Sequence, residues 1–175
     1  IERRPHRLEL GQADGIQSRS VETFQAFGFA KEITEEAYEI TEMSFWNPDP
    51  QDRSKIIRGA RPIDDEHGIS EFPHLIVNQA RVLDYFSRYA RRAPGRVTPD
   101  YGWNFLSLEV GEGEYPVTVQ LEDLDGKPRE VRAKYVVGCD GARSRVRKSI
   151  GRSLKGDQAN HAWGVMDVVV DTDFP

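Results

Sequence analysis

The chain has 175 residues, a formal net charge of −5 and 38% hydrophobic residues, which is enough for one sizeable hydrophobic core. Acidic and basic residues are interspersed rather than grouped in blocks, which argues against binding of nucleic acid or of an anionic membrane. Cys139 is the only cysteine, and the four histidines lack metal-ligand spacing, so the sequence predicts neither an internal disulfide nor a metal site. Small-molecule chemistry is the favoured class of function.

The two ends of the sequence indicate a piece of a longer chain. It begins at Ile1 rather than at a methionine, and it ends soon after an apolar run that is typical of a strand. It contains no signal peptide and no apolar run long enough to span a bilayer. We therefore expect this chain to be one part of a cytoplasmic protein.

Residues 10–28 predict a helix of roughly a dozen residues. The apolar residues that recur at three-residue spacing are Val21, Phe24 and Phe27. Asp14 precedes Gln17 by three residues, as in a capping box, and Gly28 stands where the helix would end. From the residues alone, the favoured interpretation of Asp14 is an N-cap of this helix.

Residues 74–95 predict a strand followed by a second helix. Asn78 is a good N-cap, and Pro94 with the following glycine would end the helix. Gln79 reads as a polar residue of the first helical turn when only the local sequence is considered.

Strands are predicted in two further places. Residues 43–48 and 56–57 suggest two short strands joined by a turn-rich linker. Further along, three consecutive strands are predicted at 103–110, 117–122 and 131–137. The pair Asp125-Gly126 between the last two is a strong hairpin signal.

Residues 134–151 predict a strand, a tight turn and a helix. The apolar run 135–137 is followed by Gly138 and Gly141, which bracket Cys139 and Asp140. Such a turn lets a ligand approach the backbone, and the first turn of the helix presents unpaired N–H groups to an anion. We expect a cofactor phosphate there, and the alternative is an ordinary loop in which the aspartate caps the helix.

Two motifs resemble a known family. Gly138-Cys-Asp-Gly-Ala-Arg-Ser-Arg-Val-Arg147 closely resembles the Asp-Gly motif of the flavin-dependent aromatic hydroxylases, the class typified by p-hydroxybenzoate hydroxylase. Gly11-Gln-Ala-Asp-Gly-Ile-Gln-Ser-Arg19 is similar to the corresponding segment of the branch that contains phenol 2-monooxygenase and 3-hydroxybenzoate 4-monooxygenase. The resemblance spans nearly the whole chain.

The resemblance implies a mixed α/β fold (α/β or α+β). We expect part of a Rossmann-like FAD-binding domain at residues 1–155, with an inserted antiparallel β-meander near 103–137. The start of a substrate-domain sheet is expected at 156–175, with 162–170 as its first long strand and with a contribution from 40–75.

The resemblance also implies roles for individual residues. Asp14 would be the catalytic carboxylate beside a phenolic substrate. Glu2 would end the second strand of the nucleotide-binding unit and bind the adenosine ribose; by itself it reads as a surface acid. The other cofactor-binding residues implied by the resemblance are Gln17, Arg19, Gln79, Asp140, Gly141, Ser144 and Arg147. Surface exposure is the alternative for Gln17 and Arg19.

The implied reaction is hydroxylation of a phenol next to its hydroxyl group, with NADPH reducing FAD and O₂ supplying the oxygen. The resemblance leaves open whether the intact enzyme is a homodimer. The Gly-x-Gly-x-x-Gly turn that holds FAD in the family does not occur in this chain. We therefore expect the isolated chain to bind FAD poorly and to lack hydroxylase activity.

Two alternatives stay open at the level of sequence. The first is a non-catalytic module that binds a dinucleotide phosphate or a partner through the Asp-Gly turn and the basic residues after it. The second is another enzyme with the same fold and turn, such as a flavin-dependent halogenase or a squalene-type epoxidase. The Ala-Asp-Gly sequence around Asp14 favours phenolic substrates over those.

Overall fold

The computed structural model describes residues 1–166 and 168–172. The elements in chain order are β1 (Gly15–Ile16), α1 (Ser18–Ala26), α2 (Ala30–Glu36), β2 (Tyr38–Ile40), β3 (Trp46–Pro48), β4 (Ile56–Arg58), β5 (His74–Ile76), α3 (Gln79–Arg92), β6 (Asn104–Val110), β7 (Val117–Glu122), β8 (Pro128–Ala133) and α4 (Arg145–Ser149). The chain divides into two compact units, Ile1–Leu106 with Gln120–Glu130 and Ser107–Val119 with Val131–Pro175. This mixture of helices and antiparallel sheets agrees with the predicted fold class.

The first unit contains a small sheet with the strand order β1-β5-β2, in which both pairings are antiparallel. Side chains alternate between the two faces of a strand. In β5 this alternation turns Leu75 into the core, where it is fully buried, while His74 and Ile76 lie on the opposite face. The sheet therefore has one face that packs and one face that can meet a ligand.

The core of the first unit is formed by α1, α2, α3 and the inner face of this sheet. Its buried members are Val21, Phe24, Phe29, Ala30, Ile33, Leu75, Val77 and Tyr85. The ring of Phe29 lies 5.0 Å from Phe24, 5.3 Å from Tyr85 and 5.1 Å from Phe86, measured between centroids. Stacked and edge-on aromatic pairs of this kind add to the stabilisation from burial. They hold α3 in place, and with it the β5–α3 junction.

An ion-pair network joins α2 to α3. The guanidinium of Arg81 meets the carboxylate of Glu36 at two points, Nε to Oε1 at 2.5 Å and Nη2 to Oε2 at 2.8 Å. The hydroxyl of Tyr85 donates to the same Oε2 at 2.9 Å. Arg81 is thus a packing residue between two helices.

The second helix of the sequence prediction is confirmed. It is α3, and the side chain of Asn78 accepts a hydrogen bond from the backbone N–H of Ala80 at 2.8 Å. The first helix is confirmed in part. It begins at Ser18 rather than directly after Asp14, and Gln17 is its N-cap without a side-chain hydrogen bond.

The late start of α1 has a physical cause. Gly15 and Ile16 pair with β5 as β1, and Ile16 packs against the core. This pairing buries apolar surface and fixes the backbone of both residues in an extended conformation, so they cannot form the first helical turn. The capping box predicted between Asp14 and Gln17 is therefore wrong.

The strands predicted at 43–48, 56–57 and 103–137 are largely confirmed. β3 and β4 pair antiparallel, and β6, β7 and β8 form a sheet in that order. The turn between β7 and β8 is closed by a 3.0 Å hydrogen bond from the N–H of Asp123 to the carbonyl of Lys127, with Gly126 at φ 79°. The sequence analysis did not identify α2 or β2, because their apolar residues are few and lie in a polar stretch.

Two predicted runs of strand are not formed in the described residues. The last strand of the meander was expected at 131–137, but β8 ends at Ala133, and Tyr135 and Val137 are exposed. The strand expected at 162–170 is not formed by 162–166 or 168–170, and Asp167 lies outside the described residues. Both runs are apolar enough for a buried strand. A strand also needs a hydrogen-bonded neighbour, and none of the described residues supplies one to either run.

Candidate functional site

Asp14 lies where the chain enters β1, beside the junction of β5 and α3. Its backbone carbonyl accepts a hydrogen bond from the N–H of Val77 at 3.0 Å. Its half-buried carboxylate accepts through Oδ1 from the N–H of Gln79 at 3.3 Å. Asp14 therefore caps a helix, as its sequence allows, but the helix is α3 rather than α1. The positive end of that helix favours the negative charge of the carboxylate.

Gly11 and Gln79 allow the loop before β1 to approach α3 at backbone distance. The side-chain Oε1 of Gln79 accepts from the N–H of Gln12 at 3.0 Å. A Cβ placed on Gly11 would lie 2.6 Å from the Cβ of Gln79 and 2.9 Å from Oδ1 of Asp14. The structure thus brings together two residues that the resemblance assigns to the site, Asp14 and Gln79.

The second oxygen of Asp14, Oδ2, has no hydrogen-bond partner in residues 1–166 and 168–172. The carboxylate is therefore held by one oxygen and is free to accept a hydrogen bond through the other. This is the arrangement required of a group that accepts a proton or a hydrogen bond from a ligand.

His74 and Asp64 form a second polar pair near β1 that the sequence analysis did not identify. The imidazole Nδ1 lies 2.8 Å from Oδ1 of Asp64, and the side chains are only 16% and 14% exposed. A Cβ placed on Gly15 would lie 3.7 Å from Nε2 of His74, so this nitrogen is close to the residue after Asp14. The alternation of β5, which sets His74 apart from the buried Leu75, is the sequence signal that could have identified it.

Gln17 and Arg19, assigned to the cofactor by resemblance, have exposed side chains. Within the described part of the chain, neither side chain has a hydrogen-bond partner. Glu2 forms an isolated parallel bridge with Tyr101, and its carboxylate accepts from the N–H of Arg4 at 2.8 Å. The parallel bridge is consistent with the strand end expected there.

The second unit contains the Asp-Gly turn. Oδ2 of Asp140 accepts from the N–H of Arg145 at 2.6 Å and of Val146 at 3.1 Å, and Oδ1 accepts from the hydroxyl of Ser144. Ser144 Oγ accepts in turn from the N–H of Arg147 at 3.0 Å. The pKa of Asp140 is lowered, chiefly by the Ser144 hydroxyl and also by the two backbone N–H groups.

These contacts correct the proposed anion site at the start of α4. The sequence analysis expected unpaired N–H groups in the first turn of the helix, but Asp140 and Ser144 already occupy those of residues 145–147. The free donors lie just before the helix. In the described residues, the N–H groups of Gly141, Ala142 and Arg143 have no hydrogen-bond partner.

An open groove of ≈ 640 Å³ runs past this turn and includes Gly138, Gly141, Ser144 and Arg147 among its lining residues. Gly141 has φ 75°, which favours glycine. A Cβ on Gly138 would lie 2.8 Å from the Cβ of Val146, so the turn must pack directly against α4. The guanidinium of Arg147 donates to the carbonyl of Ala142 at 2.6 Å, which leaves it other N–H donors for an anion.

Two other kinds of feature are absent from residues 1–166 and 168–172. These residues contain no cluster of three or more metal-ligating side chains. They also contain no helix long and apolar enough to cross a membrane.

A sequence profile for the family described as "FAD binding domain" matches residues 1–175. The chain belongs to this FAD-binding domain family. The resemblance to flavin-dependent aromatic hydroxylases is confirmed by curated relatives. The chain is 51% identical over its whole length to a 3-hydroxybenzoate 4-monooxygenase of Comamonas testosteroni and spans 28% of that protein. It is 40% identical to the FAD-dependent monooxygenase terD of Aspergillus terreus and spans 29% of it. It is 29% identical to the phenol 2-monooxygenase fsqG of Aspergillus fumigatus, and again spans 29% of it.

Solved structures show the same fold. The aklavinone-11 hydroxylase in complex with FAD and aklavinone is 26% identical, with a TM-score of 0.63, and the match covers 86% of this FAD-binding domain chain and 29% of that protein. The flavin-dependent monooxygenase PieE in complex with FAD and substrate matches with a TM-score of 0.71 over 89% of this chain and 28% of that protein, at 24% identity. At that identity the PieE match shows the fold alone.

Proposed function

We propose that the chain is one part of a longer flavin-dependent monooxygenase, the intact enzyme, which hydroxylates a phenolic ring with NADPH and O₂. The observation that supports this most is the carboxylate of Asp14. It is half-buried, the N–H of Gln79 holds one oxygen, and the other oxygen has no partner among the described residues. The identity of 51% to a 3-hydroxybenzoate 4-monooxygenase supports a phenolic substrate.

Asp14 would accept the hydrogen bond, and then the proton, of the substrate hydroxyl. A phenol has a pKa of about 10, so at neutral pH it needs a base within reach if it is to become a phenolate. The phenolate pushes electron density into the ring and makes the neighbouring carbon more reactive toward an electrophilic oxygen. Gln79 contributes by keeping Oδ1 fixed, so that the open oxygen keeps one direction.

FAD would supply the redox chemistry, which includes activation of O₂. Its phosphates would bind at the Asp-Gly turn, where three consecutive N–H groups have no partner among the described residues and the groove is open. We assign Asp140 and Ser144 to building this turn, and Gly141 and Arg147 to direct contact with the phosphates. Glu2 is proposed for the adenosine ribose. We propose that the side-chain amide of Gln79 lies on the flavin side of the site and contacts the cofactor, together with the side chains of Gln17 and Arg19.

The remaining assignments belong to the same proposal. Residues 1–155 would form part of the FAD-binding domain, and 156–175 would begin the substrate-domain sheet, with 40–75 contributing to it. The isolated chain is proposed to be inactive, because FAD in this family is also held by a glycine-rich turn that this sequence lacks. A cytoplasmic location and a homodimer are proposed for the intact enzyme.

The test is a panel of simple phenols and hydroxybenzoates given to the intact enzyme, with NADPH oxidation and hydroxylated product both measured. Asp14→Asn is the sharp variant, because an asparagine can still accept from the N–H of Gln79 while the charge is lost. We expect it to lower kcat by roughly 100-fold or more, in line with the loss of a general base. A wild-type enzyme that forms no hydroxylated product from any member of the panel would contradict the proposal.

The isolated chain has its own test. After purification it should lack the absorbance near 450 nm that bound flavin gives, and added FAD should bind only weakly. A preparation that retains one FAD per chain would contradict this part of the proposal while leaving the hydroxylation assay unaffected.

A further inference from the structure

The pair His74 and Asp64 is not explained by packing alone. Both side chains are largely buried, and one ring nitrogen, Nδ1, lies 2.8 Å from the carboxylate. The other nitrogen, Nε2, has no hydrogen-bond partner in the described residues. Every buried side-chain nitrogen or oxygen of the described residues has a hydrogen-bond partner. Because Nε2 has none, it is not buried and remains accessible to solvent. A histidine in this state has one occupied nitrogen and one available nitrogen.

The available nitrogen faces β1. Gly15 has no side chain, and a Cβ at that position would lie 3.7 Å from Nε2. Gly15 directly follows Asp14, whose free oxygen is the proposed acceptor for the substrate. Both members of the pair line an open hollow of ≈ 310 Å³, together with residues such as Thr41 and Phe72.

Asp64 is itself held in place. Its backbone N–H donates to the carbonyl of Thr41 at 3.0 Å, and Glu42 and Ile63 form an antiparallel bridge next to it. The backbone of Asp64 is therefore held beside Thr41, the residue after β2, and its carboxylate contacts Nδ1 of His74. This is what a residue needs in order to orient a neighbouring ring.

We infer that Asp64 is a positioning residue that fixes His74 in the tautomer with the proton on Nδ1, so that Nε2 is the nitrogen that exchanges a hydrogen bond or a proton with a ligand beside β1. An ionised carboxylate can only accept hydrogen bonds, so Nδ1 must carry the proton. The same logic holds where an aspartate orients a catalytic histidine in hydrolases. The identity of the ligand, a phenolic hydroxyl, rests on the proposed function, but the tautomer does not.

The decisive experiment is NMR of the intact enzyme labelled with ¹⁵N-histidine, with the His74 signals assigned by their loss in His74→Gln. We expect wild type to show a protonated Nδ1 and an unprotonated Nε2 at a pH where the ring is neutral. Asp64→Asn should give a mixture of tautomers, because an asparagine can either accept from Nδ1–H or donate to a bare Nδ1. Asp65→Asn is the matched control, since Asp65 is exposed and binds the N–H of Ile69.

A wild-type enzyme with the proton on Nε2 overturns the inference, even if Asp64→Asn fails to fold. An Asp64→Asn enzyme that keeps the wild-type tautomer overturns it as well. In the hydroxylation assay, Asp64→Asn should lower kcat roughly 10- to 100-fold, as is usual for the loss of an orienting partner, with a smaller change in KM. An unchanged kcat in an enzyme that does hydroxylate phenols also counts against the inference. An enzyme that hydroxylates none refutes the proposed function, and the NMR result still decides the role of Asp64.

Discussion

The carboxylate of Asp14 and the backbone N–H of Gln79 are joined by a 3.3 Å hydrogen bond across 65 positions of the sequence. This contact ties the proposed catalytic group to the first turn of α3. The helix is in turn held by the aromatic core and by the ion pair between Arg81 and Glu36. The position of one carboxylate thus depends on packing that lies well away from it, which leads to the first two predictions.

Gly11→Ala should disturb both stability and the site. The added methyl group would lie 2.6 Å from the Cβ of Gln79 and 2.9 Å from its backbone nitrogen, so the loop or the helix must move. We expect a loss of about 1–3 kcal/mol in the free energy of unfolding, as for other overpacked positions. The hydroxylation rate of the intact enzyme should fall by more than the reduced stability alone would cause. Urea unfolding and steady-state kinetics would measure the two effects.

Gly95→Ala is the control for this change. A Cβ at Gly95 would meet Val97 Cγ2 at an ordinary contact distance of 3.5 Å, and the residue lies beyond the end of α3. It should behave as wild type in both assays. If Gly11→Ala were as stable and as active as Gly95→Ala, the close packing of the loop before β1 against α3 would be refuted.

Glu36→Gln should make the free energy of unfolding less dependent on pH in the acidic range. The guanidinium of Arg81 lowers the pKa of Glu36, aided by the hydroxyl of Tyr85 and opposed by burial. The unfolded chain therefore binds the proton more tightly than the folded one. The stabilisation is complete above the unfolded pKa of about 4.3 and is lost as the pH falls through the lower folded pKa.

At pH 7 we expect Glu36→Gln to lower the free energy of unfolding by about 1–2 kcal/mol, since the remaining amide can accept a hydrogen bond but carries no charge. The difference in the free energy of unfolding between wild type and Glu36→Gln should decrease as the pH falls below about 4.3. Glu35→Gln is the control, because Glu35 is exposed and its ion pair with Lys31 is long, at 3.8 Å between Oε1 and Nζ. Urea titrations between pH 7 and pH 3 measure this difference. If the Arg81 contact did not lower the pKa of Glu36, the difference in the free energy of unfolding between wild type and Glu36→Gln would stay constant over that range.

Ser144→Ala should loosen the Asp-Gly turn. It removes the hydroxyl that donates to Asp140 and accepts from the N–H of Arg147. The pKa of Asp140 should rise toward its ordinary value, because this hydroxyl is the largest cause of its lowering. Loss of the N-cap should cost about 1 kcal/mol. Titration of the Asp140 carboxyl carbon by NMR would measure the first effect, and thermal unfolding the second.

Ser153→Ala, at an exposed position after α4, serves as the control for Ser144→Ala. It should leave the Asp140 titration unchanged. An Asp140 pKa that is the same in wild type and Ser144→Ala would show that the turn is not held by this hydroxyl.

Local signals in the sequence were sufficient for several elements. Asn78 and the proline after α3 mark the two ends of that helix, and Asp125-Gly126 marks the hairpin between β7 and β8. In each case the signal and the structure that it specifies lie within a few residues of one another. The Asp-Gly turn was also predicted from its glycines, although its aspartate caps the helix rather than leaving the first turn open.

Features that depend on distant partners could not be derived in this way. Asp14 was expected to cap α1, but a pairing with β5, some 60 residues away, removed that possibility. The same pairing places Gly15 beside His74, and nothing in the local sequence links His74 to Asp64. The apolar runs at 135–137 and 162–170 have strand composition but no neighbour among the described residues.

The most direct test of the central claim is the ionisation state of a bound phenol. A nitrophenol absorbs at longer wavelength as the phenolate, so its spectrum reports whether the oxidised intact enzyme, without NADPH, removes the hydroxyl proton. If Asp14 accepts the hydroxyl proton, a larger fraction of the bound nitrophenol will be ionised on wild type and on Asp65→Asn than on Asp14→Asn at the same pH. Equal ionisation on wild type and Asp14→Asn would contradict the role of Asp14.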